Sequence, residues 1–180
     1  NGSYKRYEIQ SDGVSPMAVP GGPGAYVSTG IEHDEAGNPH YEPELHAAMM
    51  SKRFRKLEPL ASHKGRVTIT GPEQADVGIL GWGSTYGPIG AAVERVRADG
   101  GTVARAHLHH LNPFPRNTGE VLRHYEKVLI PEMNTGQLLQ LVRAEFLVDA
   151  VGYNRVRGLP FRSAELAEAI TALAATEDQA

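Results

Sequence analysis

The sequence predicts an α/β protein built on a mostly parallel open sheet of about five strands with flanking helices. Three neighbouring stretches carry that expectation. Val77 to Leu80 is a short apolar run closed by the turn-forming Gly81-Trp82-Gly83-Ser84, the pattern of a buried strand. From Pro88 to Ala98, Ile89, Ala92, Val93 and Val96 recur at helical spacing against the charged Glu94, Arg95 and Arg97, and Asp99-Gly100-Gly101 supplies the stop. Val103 to Leu108 then reads as a second strand. Strand, helix and strand within about 30 residues make a crossover unit, parallel and right-handed.

The N-terminal residues 1–42 differ from the rest. Ser15-Pro16, Pro20-Gly21-Gly22-Pro23-Gly24 and Gly30 impose turns and irregular backbone. Either this is a flexible tail or it is the end of a preceding domain. Tyr4, Tyr7, Ile9, Val14, Met17, Val19, Tyr26 and Val27 speak against a solvated tail and favour the domain remnant. The chain opens with Asn-Gly-Ser and not with Met, which fits a piece of something longer.

Residues 43–65 read as a linker helix and loop. Pro43 suits a first helical position; Leu45, Ala48, Met49 and Leu57 form an apolar side; Lys52, Arg53, Arg55 and Lys56 gather in the later turns, where the helix dipole favours cations. That basic cluster is expected to be a solvated face. Pro59 and Ser62-His63-Lys64-Gly65 close the linker.

Residues 66–176 carry the α/β domain. Val67 to Thr70 is expected as its first strand, ended by Gly71-Pro72. After the crossover unit, Asn112-Pro113-Phe114-Pro115 breaks the chain, Thr118 to Tyr125 reads as a short helix, and Lys127 to Pro131 as the next buried strand. A helix from Gln137 to about Phe146 follows, with Leu138, Leu139, Leu141 and Val142 inside and Asn134 or Thr135 as N-cap. Leu147 to Val151 and Arg155 to Arg157 are weaker strand signals at an edge. Ser163 is expected to cap a last helix burying Leu166, Ile170 and Leu173, before a polar tail from Thr176.

Composition excludes several function classes. A net charge of -3 gives no general attraction to nucleic acid or to anionic membrane, and no apolar run approaches a membrane span. With no cysteine there are no disulfides, thiol nucleophiles or cysteine-ligated iron–sulfur clusters in this chain.

Candidate chemistry is sparse. Gly81-x-Gly83-x-x-x-Gly87 misses the dinucleotide spacing, and no acid follows the second strand to hold a ribose, so these glycines are expected to let helix and sheet approach, with Trp82 filling space over the sheet's end. Glu32, His33 and Asp34 could offer metal donors, but adjacent residues alternate direction, and a solvated acidic turn is the expected reading. His107 and His109 share a strand face while His110 points away. Ser84 in Gly-Trp-Gly-Ser lacks the nucleophile-elbow pattern. Glu132 and Asn134 stand where parallel strands present ligands, and equally where they would cap a helix.

Taken as an ordered set, several motifs resemble one family, the α subunits of 2-oxoacid:ferredoxin oxidoreductases. They are Arg6-Tyr7 with Asp12-Gly13-Val14-Ser15-Pro16; Thr29-Gly30-Ile31-Glu32-His33-Asp34-Glu35 with Gly37; Lys52-Arg53 with Lys56-Leu57; and Gly81-Trp82-Gly83-Ser84. Pro113-Phe114-Pro115, Glu132-Met133-Asn134 with Gly136-Gln137-Leu138, and Gly158-Leu159-Pro160-Phe161 complete the set. The acidic turn followed by the basic helix is most similar to 2-oxoglutarate-type members.

The resemblance implies that residues 1–42 end a pyrimidine-binding domain and 66–176 form a transketolase C-terminal-like domain. It implies a cytoplasmic enzyme making acyl-CoA and CO2 with thiamine diphosphate, Mg2+ and an iron–sulfur cluster in the complete assembly, together with a β subunit, ferredoxin and coenzyme A. The family's thiamine-activating glutamate has no match here. This portion is therefore expected to bind no cofactor, iron or zinc alone, to be inactive alone, and to frame an interface through Glu32, His33, Asp34, Glu132 and Asn134. The alternative is a free-standing α/β module for a nucleotide or coenzyme.

Overall fold

The computed structural model describes residues 4–63 and 65–176; Lys64 of the expected linker loop and the tail beyond Thr176 lie outside them. The chain divides into two compact units, the first ending at His63 and the second beginning at Lys64.

The first unit has one long helix, α1 (Pro43–Arg55), with Pro43 in its first turn and Lys52, Arg53 and Arg55 in its last. A single further turn, α2 (Leu60–His63), follows. Before α1 the chain is irregular, as its prolines and glycines require, and carries one isolated bridge between His33 and Pro39. Most of α1's expected apolar side is not buried, and Met49 alone among its hydrophobic residues is fully enclosed. The stretch up to Val27 closes on α1 through Gly13, where a Cβ would stand 2.6 Å from the Lys52 carbonyl oxygen and from Lys56 N. Only glycine permits that approach, and its φ of +79° suits glycine as well. Lys52 Nζ then donates to the Tyr7 carbonyl at 2.5 Å, and Ile9 N donates to Glu35 Oε2 at 2.8 Å.

The second unit is the predicted layered α/β domain. Its strands are β1 (Ile69–Thr70), β2 (Val77–Trp82), β3 (Val103–Leu108), β4 (Val128–Glu132) and β5 (Ala150–Asn154). They lie in the order β1-β3-β2-β4-β5, all parallel except β1, which runs antiparallel to β3 at the edge. The helices are α3 (Tyr86–Ala98), α4 (Thr118–Arg123), α5 (Gln137–Phe146) and α6 (Ser163–Ala174). On one face Leu80, Ala104, Leu108 and Ile130 pack with Val121, Leu122, Leu138 and Val142 of α4 and α5. On the other, Val77, Ile79, Val103 and Leu129 pack with Ile89, Val93, Leu166 and Ile170 of α3 and α6. Helices on both faces are why β2 and β4 read as apolar runs.

Several expected details shift. Val67 is buried but precedes the strand: the Asn117 side chain takes the place of a neighbouring strand, accepting from Val67 N at 2.8 Å and donating to Val67 O at 2.9 Å. The two weak strand signals near residue 150 resolve into one edge strand, β5, and Arg155 to Arg157 lie beyond it. Leu141 faces solvent, because α5 presents only Leu138 and Val142 fully to the sheet. Gly136 is the N-cap position of α5, with φ +98°, in place of Asn134 or Thr135. Ser163 is the first residue of α6 and not its cap; Glu165 accepts from Arg162 N at 2.9 Å instead.

Candidate functional site

In the first unit, α1 and the irregular chain before it enclose a cleft of about 400 Å³. Arg6, Lys52, Arg53 and Lys56 reach its wall, against one carboxylate, Glu32. Glu32 accepts from both the Arg53 guanidinium and His46 Nδ1, the latter at 2.7 Å. The Arg53 hydrogen bond, followed by that of His46, holds the Glu32 carboxyl below the usual glutamate range. His33 is 4% exposed. Its ring lies parallel to Tyr7 with centroids 4.8 Å apart, and Nε2 stands 3.0 Å from Thr29 Oγ1. The expected solvated acidic turn is thus corrected: burying His33 against Tyr7 draws Glu32 to the cleft wall.

Asp34 plays another part. Its carboxylate accepts from Asn38 N at 2.8 Å and from Asn38 Nδ2 at 2.9 Å, closing the loop on itself. The Asn38 side chain, then its backbone amide, keep Asp34 below its ordinary range.

Lys52 overturns the expectation of a solvated basic face, being only 7% exposed. It reaches inward because the Tyr7 carbonyl and the Tyr7 ring, 6.0 Å from Nζ, offer the ammonium partners there. Burial pushes its pKa below the lysine range, and the neighbouring Arg53 and Arg6 add to that. A cleft holding this cation excess favours an anionic occupant such as a carboxylate or phosphate.

In the second unit, the chain leaves β2 toward β3 and leaves β4 toward β5, in opposite directions along the sheet. Between the carboxyl ends of β2 and β4 the topology therefore opens a crevice, the usual ligand position of such sheets. It measures about 280 Å³ and is lined by Trp82, Gly83, Ser84, Thr85, Met133 and Asn134. Asn134 Oδ1 accepts from Gly136 N at 2.7 Å and Gln137 N at 3.2 Å, so one candidate residue both closes the turn leading into α5 and faces the crevice.

Glu132 is 0% exposed. Its two carboxylate oxygens accept from Leu138 N at 2.8 Å and Leu139 N at 2.9 Å. The helix start satisfies the buried charge, and the carboxylate is occupied by the fold. The expected close approach of helix and sheet is present: a Cβ on Gly81 would meet Ile89 Cδ1 at 2.5 Å. Trp82 packs partly buried against the α4–α5 side.

Sequence reasoning missed the Tyr7–His33 stack and the inward turn of Lys52. Both join residues far apart in the chain, and neither leaves a spacing signature.

Fold and site together define a class: a three-layer α/β domain with a crevice at its switch point, preceded by a unit with a cationic cleft. A family model, the pyruvate:ferredoxin oxidoreductase core domain II, matches residues 75–168. The 2-oxoglutarate oxidoreductase subunit KorA of Mycobacterium tuberculosis is 42% identical over 159 residues, 87% of this chain and 24% of that protein. The 2-oxoacid:ferredoxin oxidoreductase 2, subunit alpha, of Aeropyrum pernix is 35% identical over 98% of this chain and 28% of its own length. The solved 2-oxoglutarate:ferredoxin oxidoreductase of Magnetococcus marinus, with 2-oxoglutarate, coenzyme A and succinyl-CoA bound, superposes with a TM-score of 0.82. It is 37% identical over 96% of this chain and 31% of that one. The chain belongs to the pyruvate:ferredoxin oxidoreductase core domain II family, and its relatives are the α subunits of 2-oxoacid:ferredoxin oxidoreductases that its motifs resemble. It spans about a quarter of the length of those curated relatives. Among the described residues no helix is long and apolar enough to cross a membrane.

Proposed function

We propose that this chain is part of the α subunit of a cytoplasmic 2-oxoglutarate-type 2-oxoacid:ferredoxin oxidoreductase. That enzyme decarboxylates the 2-oxoacid, passes the acyl group to coenzyme A and delivers the electrons to ferredoxin. Its complete assembly uses thiamine diphosphate, Mg2+ and an iron–sulfur cluster, and includes a β subunit. The observation that carries this reading is the match to the Magnetococcus marinus enzyme across 96% of the chain. The residues present do not fit an iron–sulfur cluster or a metal ion. There is no thiolate for a cluster, and among the described residues no three His, Asp or Glu side chains gather where they could hold a metal ion. No catalytic step is assigned to this chain.

Its own part is to frame and to dock. Residues 1–42 end the pyrimidine-binding domain and carry α1 with them, since Gly13 and Tyr7 close on that helix. Met17, 82% exposed, and the exposed Val19, Val27, Ile31 and Tyr41 leave apolar surface for the rest of the enzyme to cover. Glu32 and His33 stand at the cleft wall and Asn134 at the crevice, where a substrate or subunit can meet them.

The test is reconstitution of the full α subunit with its β subunit, following coenzyme A-dependent ferredoxin reduction. Faster turnover with 2-oxoglutarate than with pyruvate, and none from the 180-residue chain alone, is the expected result. Hydrogen exchange should show residues 25–40 protected strongly only in the assembly. Equal rates with both oxoacids would overturn the substrate assignment, and equal protection the docking role.

A further inference from the structure

The second unit holds a basic cleft that the proposed activity does not use. β3 is flanked by β2 and β1, and its side chains on the α3 side should be apolar like Val103. Instead Arg105, His107 and His109 follow at every second position. Arg105 lies under α3, where the Gly90 position leaves it room: a Cβ there would stand 2.4 Å from Arg105 Nη1. Its guanidinium carbon sits 5.1 Å from the Tyr86 ring centroid. The edge of His107 meets the same ring at 5.0 Å, and His109 stands 5.5 Å from His107. Thr68, Thr70 and Arg66 close the other wall of this space of about 180 Å³.

No carboxylate lines it among the described residues. Arg105 has neither an ion pair nor a hydrogen bond among them. Arg66 pairs with Glu120 at 3.2 Å, but with side chains 75% and 76% exposed the pair holds it weakly. Two guanidinium groups, two imidazoles and two hydroxyls thus converge with no carboxylate in the lining, Glu120 reaching Arg66 only from outside it. Burial, then the neighbouring His109, lowers the His107 pKa, a penalty that a bound anion would reverse.

We propose that this cleft is a binding site for the phosphoryl group of a small phosphorylated metabolite, with Arg105 and Arg66 as its charge partners and the imidazoles and threonine hydroxyls completing its shell. Fixed arginine forks and hydroxyl donors suit a tetrahedral oxyanion. The site is separate from the crevice at Trp82, and it stands whether or not the oxidoreductase reading holds.

Histidine-selective NMR on the intact chain tests it, with inorganic phosphate titrated at constant ionic strength against chloride. The expected result is saturable movement of His107 and His109 and a rise in their pKa values, while His124 stays put. Arg105→Gln and, separately, Arg66→Gln should each weaken phosphate about tenfold or more, in line with loss of one charge-assisted hydrogen bond. Spectra unchanged away from the cleft show that each variant has folded. A parallel titration with ADP identifies the source: displacement of phosphate by ADP assigns a nucleotide, and phosphate binding without it assigns a smaller phosphate ester. The same movement with chloride, no movement with phosphate, or affinities unchanged in both variants would overturn the proposal.

Discussion

The two units of this chain are enclosed by opposite means. The second buries an apolar cluster on each face of its sheet. The first encloses Met49 together with His33 and Lys52, and is joined by the Tyr7–His33 stack and by hydrogen bonds that skip along the chain. Apolar burial needs no angular precision, so the second unit can complete itself from periodicity alone. Polar enclosure works only where each donor meets its acceptor, and it leaves the first unit's larger hydrophobic side chains uncovered. That contrast supports reading one as a domain and the other as the end of one.

The sharpest way to break the contrast lies where the second unit departs from its own rule, at Glu132. Glu132→Ala leaves the Leu138 and Leu139 amides buried without acceptors, and should cost the second unit about 2–5 kcal/mol in urea unfolding. A loss under about 1 kcal/mol would mean that water replaces the carboxylate. Glu132→Gln, which retains one acceptor oxygen, should cost less.

Next comes an ordinary core truncation. Ile170→Ala on α6 should cost about 2–4 kcal/mol, because α3 cannot follow the shortened side chain inward. The amides of β2 and β4 should exchange only through global opening, whereas those around Thr29 to Asn38 should exchange through local opening at far lower cost. Similar protection in the two regions of the isolated chain would erase the distinction.

Within the first unit, Lys52 sets the pH response. Its pKa is depressed in the folded state, mainly by burial, so the charged form works against folding below the ordinary lysine range. That penalty is relieved as pH rises through the folded-state value toward the unfolded one. Stability of the first unit should therefore climb as pH approaches the lysine range from below, and Lys52→Met should abolish the climb. Far-UV circular dichroism with urea at a series of alkaline pH values reads both.

The smallest effect belongs to Glu32. Its lowered pKa contributes stability that is present above the ordinary glutamate range and lost as pH falls through the folded-state value. Because Arg53 and His46 are largely exposed, Glu32→Gln should cost at most about 1 kcal/mol at neutral pH. The acid-unfolding midpoint should lie at lower pH for the wild type than for the variant. Identical acid profiles would remove Glu32 from the enclosure of the first unit.

Much of the second unit was decided by the sequence itself. Apolar runs at Val77 and Val128, the alternating stretch from Val103 to Leu108, helical spacing from Ile89 to Val96, and the Asp99-Gly100-Gly101 stop are local patterns, and local patterns specify strands, helices and a parallel crossover. The ordered motifs likewise pointed to the family. What only the tertiary structure decided are contacts between residues far apart in the chain. Asn117 substitutes for a strand beside Val67, Lys52 turns inward to Tyr7, and Arg105 fits beneath Gly90. A basic residue on a helix reads as solvated until some distant carbonyl is brought to it, because desolvation is tolerable only with a partner in place. No spacing along the chain records where that partner will be.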